Sequence, residues 1–169
     1  MATALLLSRI ILGLGLSAHG AQKLFGWFGG YGIKGTGGFM ESMGFKPGAF
    51  FAAAAGLGEL GGGLLTVLGL GGPIGPALIV MVMLVAIFTV HVRNGFWQSA
   101  NGYELNSMII AGALALAFAG PGPYSIDTAI GLNGIWTDPM RWITIGIAVV
   151  FALGNLAVRR TAGTTQPAS

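Results

Sequence analysis

The stretch GLGELGGGLL, residues 56–65, holds one carboxylate, Glu59, among five glycines and four leucines. Outward from it the chain stays apolar over residues 49–70, with Thr66 the one other polar side chain. At a rise of about 1.5 Å per residue such a run makes a helix of about 33 Å, enough to cross a hydrocarbon core of roughly 30 Å. A helix at a soluble surface would show a polar face, and this one has none. Glu59 then sits about 15 Å deep, near the midplane, where an ionisable side chain costs at least about 2.5 kcal/mol on insertion scales. A group that expensive needs a partner from another helix.

The rest of the chain supports a membrane setting. Of 169 residues, 54% are hydrophobic and 8% charged, where a soluble domain carries roughly a quarter. Eight basic residues against five acidic ones leave a formal charge of +3. The basic residues are scattered singly, apart from Arg159 and Arg160, so they form no nucleic-acid patch. Cysteine is absent, which removes disulfides, thiolate metal ligands and any dithiol relay within the chain. The apolar N-terminus lacks a basic segment ahead of it and carries Arg9, His19 and Lys23, so it is expected to remain as a helix and not as a cleaved signal.

Five segments approach spanning length: residues 4–25, 49–70, 74–92, 105–120 and 140–158. Lipid cannot satisfy free backbone groups, so spanning segments of this composition are helices. The expected fold is an all-α, polytopic transmembrane helix bundle with a four-helix core and a fifth, C-terminal helix. Gly71-Gly72-Pro73 allows only a tight antiparallel turn between the second and third spans. Residues 26–48 mix aromatics with many glycines and are expected to lie along the membrane surface. The chain thus divides into a four-helix membrane domain over 1–130, an additional apolar helix within 131–160 and a disordered tail over 161–169. If all five segments span, Lys23, Lys34, Lys46, Arg93, Arg159 and Arg160 share one side and only Arg9 and Arg141 the other. The positive-inside rule then puts the first loop in the cytoplasm of a multi-pass protein of the cell membrane.

Four ionisable residues stand out by cost: His19, Glu59, His91 and Glu104, one on each of the first four helices. His19 lies about 9 Å from the first-loop end of its helix, and His91 and Glu104 flank the third loop, which shares that side in an antiparallel bundle. Small residues accompany Glu59 on its helical face, with Gly58 and Gly62 spaced for close helix approach. His19 or Gln22 is the expected donor to Glu59. Each position also has a structural reading: His19 and Lys23 as interfacial groups, His91 likewise, and Glu104 as a helix N-terminal charge. If the four converge, they suit a first-row metal ion held by His19, Glu59, His91 and Glu104. They suit equally a quinone headgroup with a proton route through Glu59 and His91.

Several stretches together resemble the DoxX family of small bacterial membrane proteins. They are RIILGLGLSAHGAQKLFG at 9–26, GGYGIKGTGGFMESMGF at 29–45, GLGELGGGLL at 56–65, HVRNGF at 91–96, GYEL at 102–105 and YSID at 124–127. The resemblance implies a membrane component of redox systems, working with a protein partner, and recurrent polar positions at His19, Lys23, Glu59, His91, Asn94 and Glu104. From this follows the leading expectation, a redox-associated membrane subunit binding quinone or a metal in a His/Glu-lined cavity. The competing expectation is a non-catalytic anchor or scaffold of an oxidoreductase or stress-response complex. A small-solute or proton transporter fits less well, because no inverted repeat or broken helix is visible in a single short chain. A homo-oligomer would be compatible with any of these.

Overall fold

The computed structural model describes residues 1–159, and the expected tail at 161–169 lies outside them. Every long element in the described residues is a helix. Helix α1 (Ala2–Phe25) leads to a short helix, α2 (Gly32–Ser42), and then to α3 (Gly48–Leu68), α4 (Ile74–Ala86), α5 (Glu104–Ala119), the single turn α6 (Ile126–Ala129) and α7 (Asp138–Ala157). Beyond Ala86 the helical path of α4 continues through a π turn (Ile87–His91) and a 3-10 turn (Val92–Asn94).

Four of these paths are long and apolar enough to cross a membrane: Ala2–Phe25, Gly48–Leu68, Ile74–Asn94 and Asp138–Ala157. The protein is therefore a helical bundle of multi-pass membrane type. The expected C-terminal helix is among the four, whereas the fourth expected span, α5, has 16 residues. At about 24 Å it falls short of the hydrocarbon thickness. Its shortness has a physical reason, because the chain after it turns inward to meet Arg9, a third of the way along α1. The first-loop region also holds more order than expected, since α2 packs against α1 and α3.

Glycine pattern explains why α3 is the central helix. On one side, a Cβ at Gly63 would stand 2.5 Å from the carbonyl oxygen of Gly13, and one at Gly20 would stand 2.5 Å from the Leu60 nitrogen. The α1 and α3 backbones therefore touch along two glycine rows. On the other side of α3, a Cβ at Gly58 or Gly62 would meet Val82 or Leu78 of α4 at 2.9 Å. In lipid, where apolar burial between helices gains little, this backbone-to-backbone packing is what holds spans together. A core of Leu16, Ile79, Val80, Val82, Met83 and Ala113 joins α1, α4 and α5. Ala77, Ala117, Ile145 and Ala148 seat α7 against α4 and α5.

At the far end of α7, Arg159 Nε donates to the carbonyl of Met43 at 2.5 Å. The end of α7 and the first loop thus share one end of the bundle, as an alternating path through α1, α3, α4, α5 and α7 requires. At the opposite end, Arg9 (4% exposed) donates from Nε to Thr66 O and from Nη2 to Val67 O and Tyr124 O, at 3.1, 2.9 and 2.8 Å, and from Nη1 to Pro121 O. The first two are among the carbonyls that a helix C-terminus leaves free, here that of α3. The other two belong to irregular backbone after α5, which membrane depth tolerates only when protein groups satisfy it. Asp127, fully buried, accepts from Gly71 N, Gly72 N and the Trp136 indole at 3.0, 2.7 and 2.8 Å. One cation and one anion thereby fasten the α3–α4 turn to the segment that follows α5.

Candidate functional site

Glu59 is 3% exposed, and its partner is Lys23, whose Nζ stands 2.5 Å from Glu59 Oε2. The sequence reading expected His19 or Gln22 in that role. Gln22 instead donates from Nε2 to the Phe28 carbonyl at 3.1 Å, and His19 is exposed with no hydrogen bond among the described residues. The reason lies in the glycine at 56. A Cβ there would stand 3.3 Å from Lys23 Cβ and 2.7 Å from Leu24 Cγ, so its absence lets the lysine stem lie across α3 and carry the ammonium to Glu59. A lysine in the last turn of α1 also complements the negative end of that helix.

The pair is buried on one side only. Lys23 keeps 27% of its side chain exposed, toward a cleft of about 590 Å³ lined by Gln22, Lys23, Tyr31, Thr36 and Phe39 with intervening glycines. Its walls come from α1 and from the chain that folds back over it. Gly26 ends α1 in the left-handed region at φ 74°, where a side chain is disfavoured, and reverses the chain toward α2. Glu41, at the end of α2, accepts from the Gly48 N–H at 2.9 Å and so ties the flap to the start of α3. Trp27 packs on Phe25 at 4.9 Å and lies outside the cleft, whereas Tyr31 and Phe39 line it.

The remaining predicted residues gather elsewhere. His91 Nδ1 lies 2.9 Å from the Asn101 carbonyl, a contact that places the imidazole proton on Nδ1. Asn94 Nδ2 donates to the same carbonyl at 3.2 Å and to Val90 O at 3.3 Å. Glu104 Oε2 accepts from Gln98 N at 2.9 Å. His91, Asn94 and Glu104 therefore shape the loop between α4 and α5. The expected convergence of His19, Glu59, His91 and Glu104 does not occur, and no three His, Cys, Asp or Glu side chains among the described residues are grouped to hold a metal ion. Each carboxylate already has a different partner: Glu59 an ammonium, Glu104 and Asp127 backbone N–H groups, and Asp127 an indole besides.

Two buried charges escaped the sequence reading. Arg9, expected to act only as a topology signal, meets as the eighth residue of an apolar helix the same cost criterion that singles out Glu59. Asp127 gave a weaker signal, a lone acid in a Gly/Pro-rich connection. With the geometry in hand, the DoxX family model matches residues 4–92, more than half of the chain. The chain belongs to the DoxX family. The matched region contains all but the first two residues of α1, then α2 to α4, the Lys23–Glu59 pair and every residue of the cleft, while α5, Asp127 and α7 lie beyond it. The chain matches no curated protein and no solved structure.

Proposed function

We propose that this DoxX-family protein is a membrane subunit that binds a quinone-class ligand in the Lys23 cleft and works with a redox partner protein. The observation that carries the proposal is an ion pair whose carboxylate is buried at the α1–α3 contact while its lysine lines a cleft with aromatic walls. A ligand of this class offers two carbonyl acceptors on a flat apolar ring. The cleft supplies the matching features: the Lys23 ammonium, the Thr36 and Tyr31 hydroxyls as donors, and the Phe39 and Tyr31 rings as walls. The bound quinone would supply two-electron, two-proton chemistry. Electron delivery is assigned to the partner, since a chain without cysteine has no dithiol relay of its own.

The protein's own share is binding and proton placement. Lys23 would present an N–H to the bound ligand, and Glu59 behind it holds the ammonium in place at 2.5 Å. His91, with its Nδ1 proton committed to the third loop, takes no part, and the site is Lys23, Glu59, Tyr31, Thr36 and Phe39. The reading places the protein in the cell membrane, with the first-loop end facing the cytoplasm, an orientation that the excess of basic residues there supports.

Purification in mild detergent followed by solvent extraction tests the reading. Wild-type protein is expected to retain quinone near stoichiometry, Lys23→Met and Glu59→Gln to lose it, and His91→Ala to keep it. Wild-type protein that retains none overturns the reading and favours the anchor role, which is consistent with how many other costly groups here bind only backbone.

A further inference from the structure

We infer that the groove between the start of α3 and the end of α7 binds one anionic phospholipid, at the end of the bundle that carries the first loop. The groove, about 630 Å³, is separate from the Lys23 cleft and is lined by Lys46, Phe50 and Phe51 on one wall and Phe151, Gly154 and Asn155 on the other. Its chemistry changes with depth. Lys46 lines the groove two residues ahead of α3, at headgroup level, and Arg159 follows the lining residue Val158 and donates to the first-loop carbonyl of Met43, at the same end of the bundle. Phe151 lies six residues inside α7, about 9 Å deeper. A rim of cations above an apolar trough matches a phosphate with its acyl chains beneath, and matches neither an apolar helix nor a free anion.

Charge distribution selects an anionic headgroup. Lys46 forms no ion pair among the described residues, and the chain has no Asp or Glu after Asp138, so α7 brings no acid to this rim. At the opposite end of the bundle, Arg9 is engaged with carbonyls and Arg141 with Asp138 at 2.8 Å. Cations open to lipid headgroups are thus concentrated at one end, where a leaflet rich in anionic lipid attracts them.

Native mass spectrometry of the full-length protein, equilibrated with vesicles of equal phosphatidylglycerol and phosphatidylcholine of matched chains, tests this. Wild type is expected to carry one phosphatidylglycerol. Lys46→Gln should lower the preference for that lipid roughly fivefold, one lysine's share of attraction to an anionic surface. Gly154→Leu should lower retention of both lipids, because a Cβ there meets nothing within 4 Å and the side chain fills the trough without a clash. An unchanged thermal melt shows that this variant is folded. Lys34→Gln, on exposed α2, and Lys23→Met, in the other cleft, should leave the adduct unchanged, which separates this proposal from the quinone reading. Equal effects of Lys46→Gln and Lys34→Gln, displacement of the lipid by inorganic phosphate, or a dimer carrying no lipid would each overturn it.

Discussion

The two ends of the bundle treat costly charges in opposite ways. At the end holding the α3–α4 turn, Arg9 and Asp127 are buried and bonded on nearly every side, to four carbonyls in one case and to two N–H groups and an indole in the other. Toward the first-loop end, mid-span Glu59 has one ion-pair partner, Lys23 in the last turn of α1, and that lysine lines a cleft. A saturated charge has no capacity left for a ligand, so the first pair is structural. An unsaturated one retains donors, and that difference points to the Lys23 cleft as the site. The expense of burying a charge therefore identifies important residues, but only the count of satisfied bonds sorts architecture from function.

The sharpest way to break the comparison is to delete the closed cluster. Arg9→Leu strands three carbonyls, those of Val67, Pro121 and Tyr124, since Thr66 O also accepts from Gly69 N, and a buried unsatisfied group costs about 1–3 kcal/mol. The expected result is a loss on the order of 5 kcal/mol, read as a collapse of the melting temperature in detergent or as failure to accumulate in membranes. Asp127→Asn should cost less, about 2 kcal/mol, because the amide keeps one acceptor oxygen but turns an NH2 toward a ring of donors. Its signature would be a changed Trp136 emission together with a lower melt. If either variant melted like wild type, the cluster would not hold the post-α5 segment in place.

Much of the fold was legible because lipid imposes simple rules. Length and apolar composition located the five helices within about two residues at most ends, and the Gly-Gly-Pro turn appears where it was expected. The mid-span cost of Glu59 identified a buried carboxylate in advance. What could not be read was partner choice. Whether Lys23 or His19 reaches Glu59 depends on where α1 crosses α3, and that crossing is set by contacts at Gly13, Gly20, Gly56 and Gly63 that no helical wheel of α1 alone reveals. The same limit applies to His91 and Glu104. Their positions in the sequence allowed a shared cavity, but the third loop folds compactly and takes their polar atoms, with Phe96 packed between Trp97 and Tyr103 at 5.2 and 5.5 Å.

That dependence on the crossing gives a prediction linking the two ends. Gly63→Ala puts a methyl against the Gly13 carbonyl and should push α1 off α3, at about 1–3 kcal/mol for an overpacked contact. Lys23 would withdraw from Glu59 and ligand retention would fall with stability. Gly61→Ala, two residues away, meets nothing within 4 Å, and should be neutral or stabilise the helix by up to about 1 kcal/mol. Equal melts for the two variants would mean that the glycine rows do not set the crossing.

The smallest expected effect concerns the third loop. His91 is partly exposed where it meets Asn101, and a net hydrogen bond is worth about 0.5–1.5 kcal/mol. Asn94 also donates to that carbonyl, so His91→Ala does not leave it bare, and the loss should lie at the low end of that range. Global melting would barely register such a change, but local opening would. Amide exchange should quicken at Gly102, Tyr103 and Glu104, whose N–H groups donate to Trp97, Gly95 and Phe96, while exchange in α1 and α3 stays unchanged. The same variant should keep the bound quinone. Loss of ligand on His91→Ala with an intact Lys23–Glu59 pair would move the functional boundary from the cleft toward the third loop, and the contrast between closed and open charges would then have to include a histidine whose Nδ1 is already bonded.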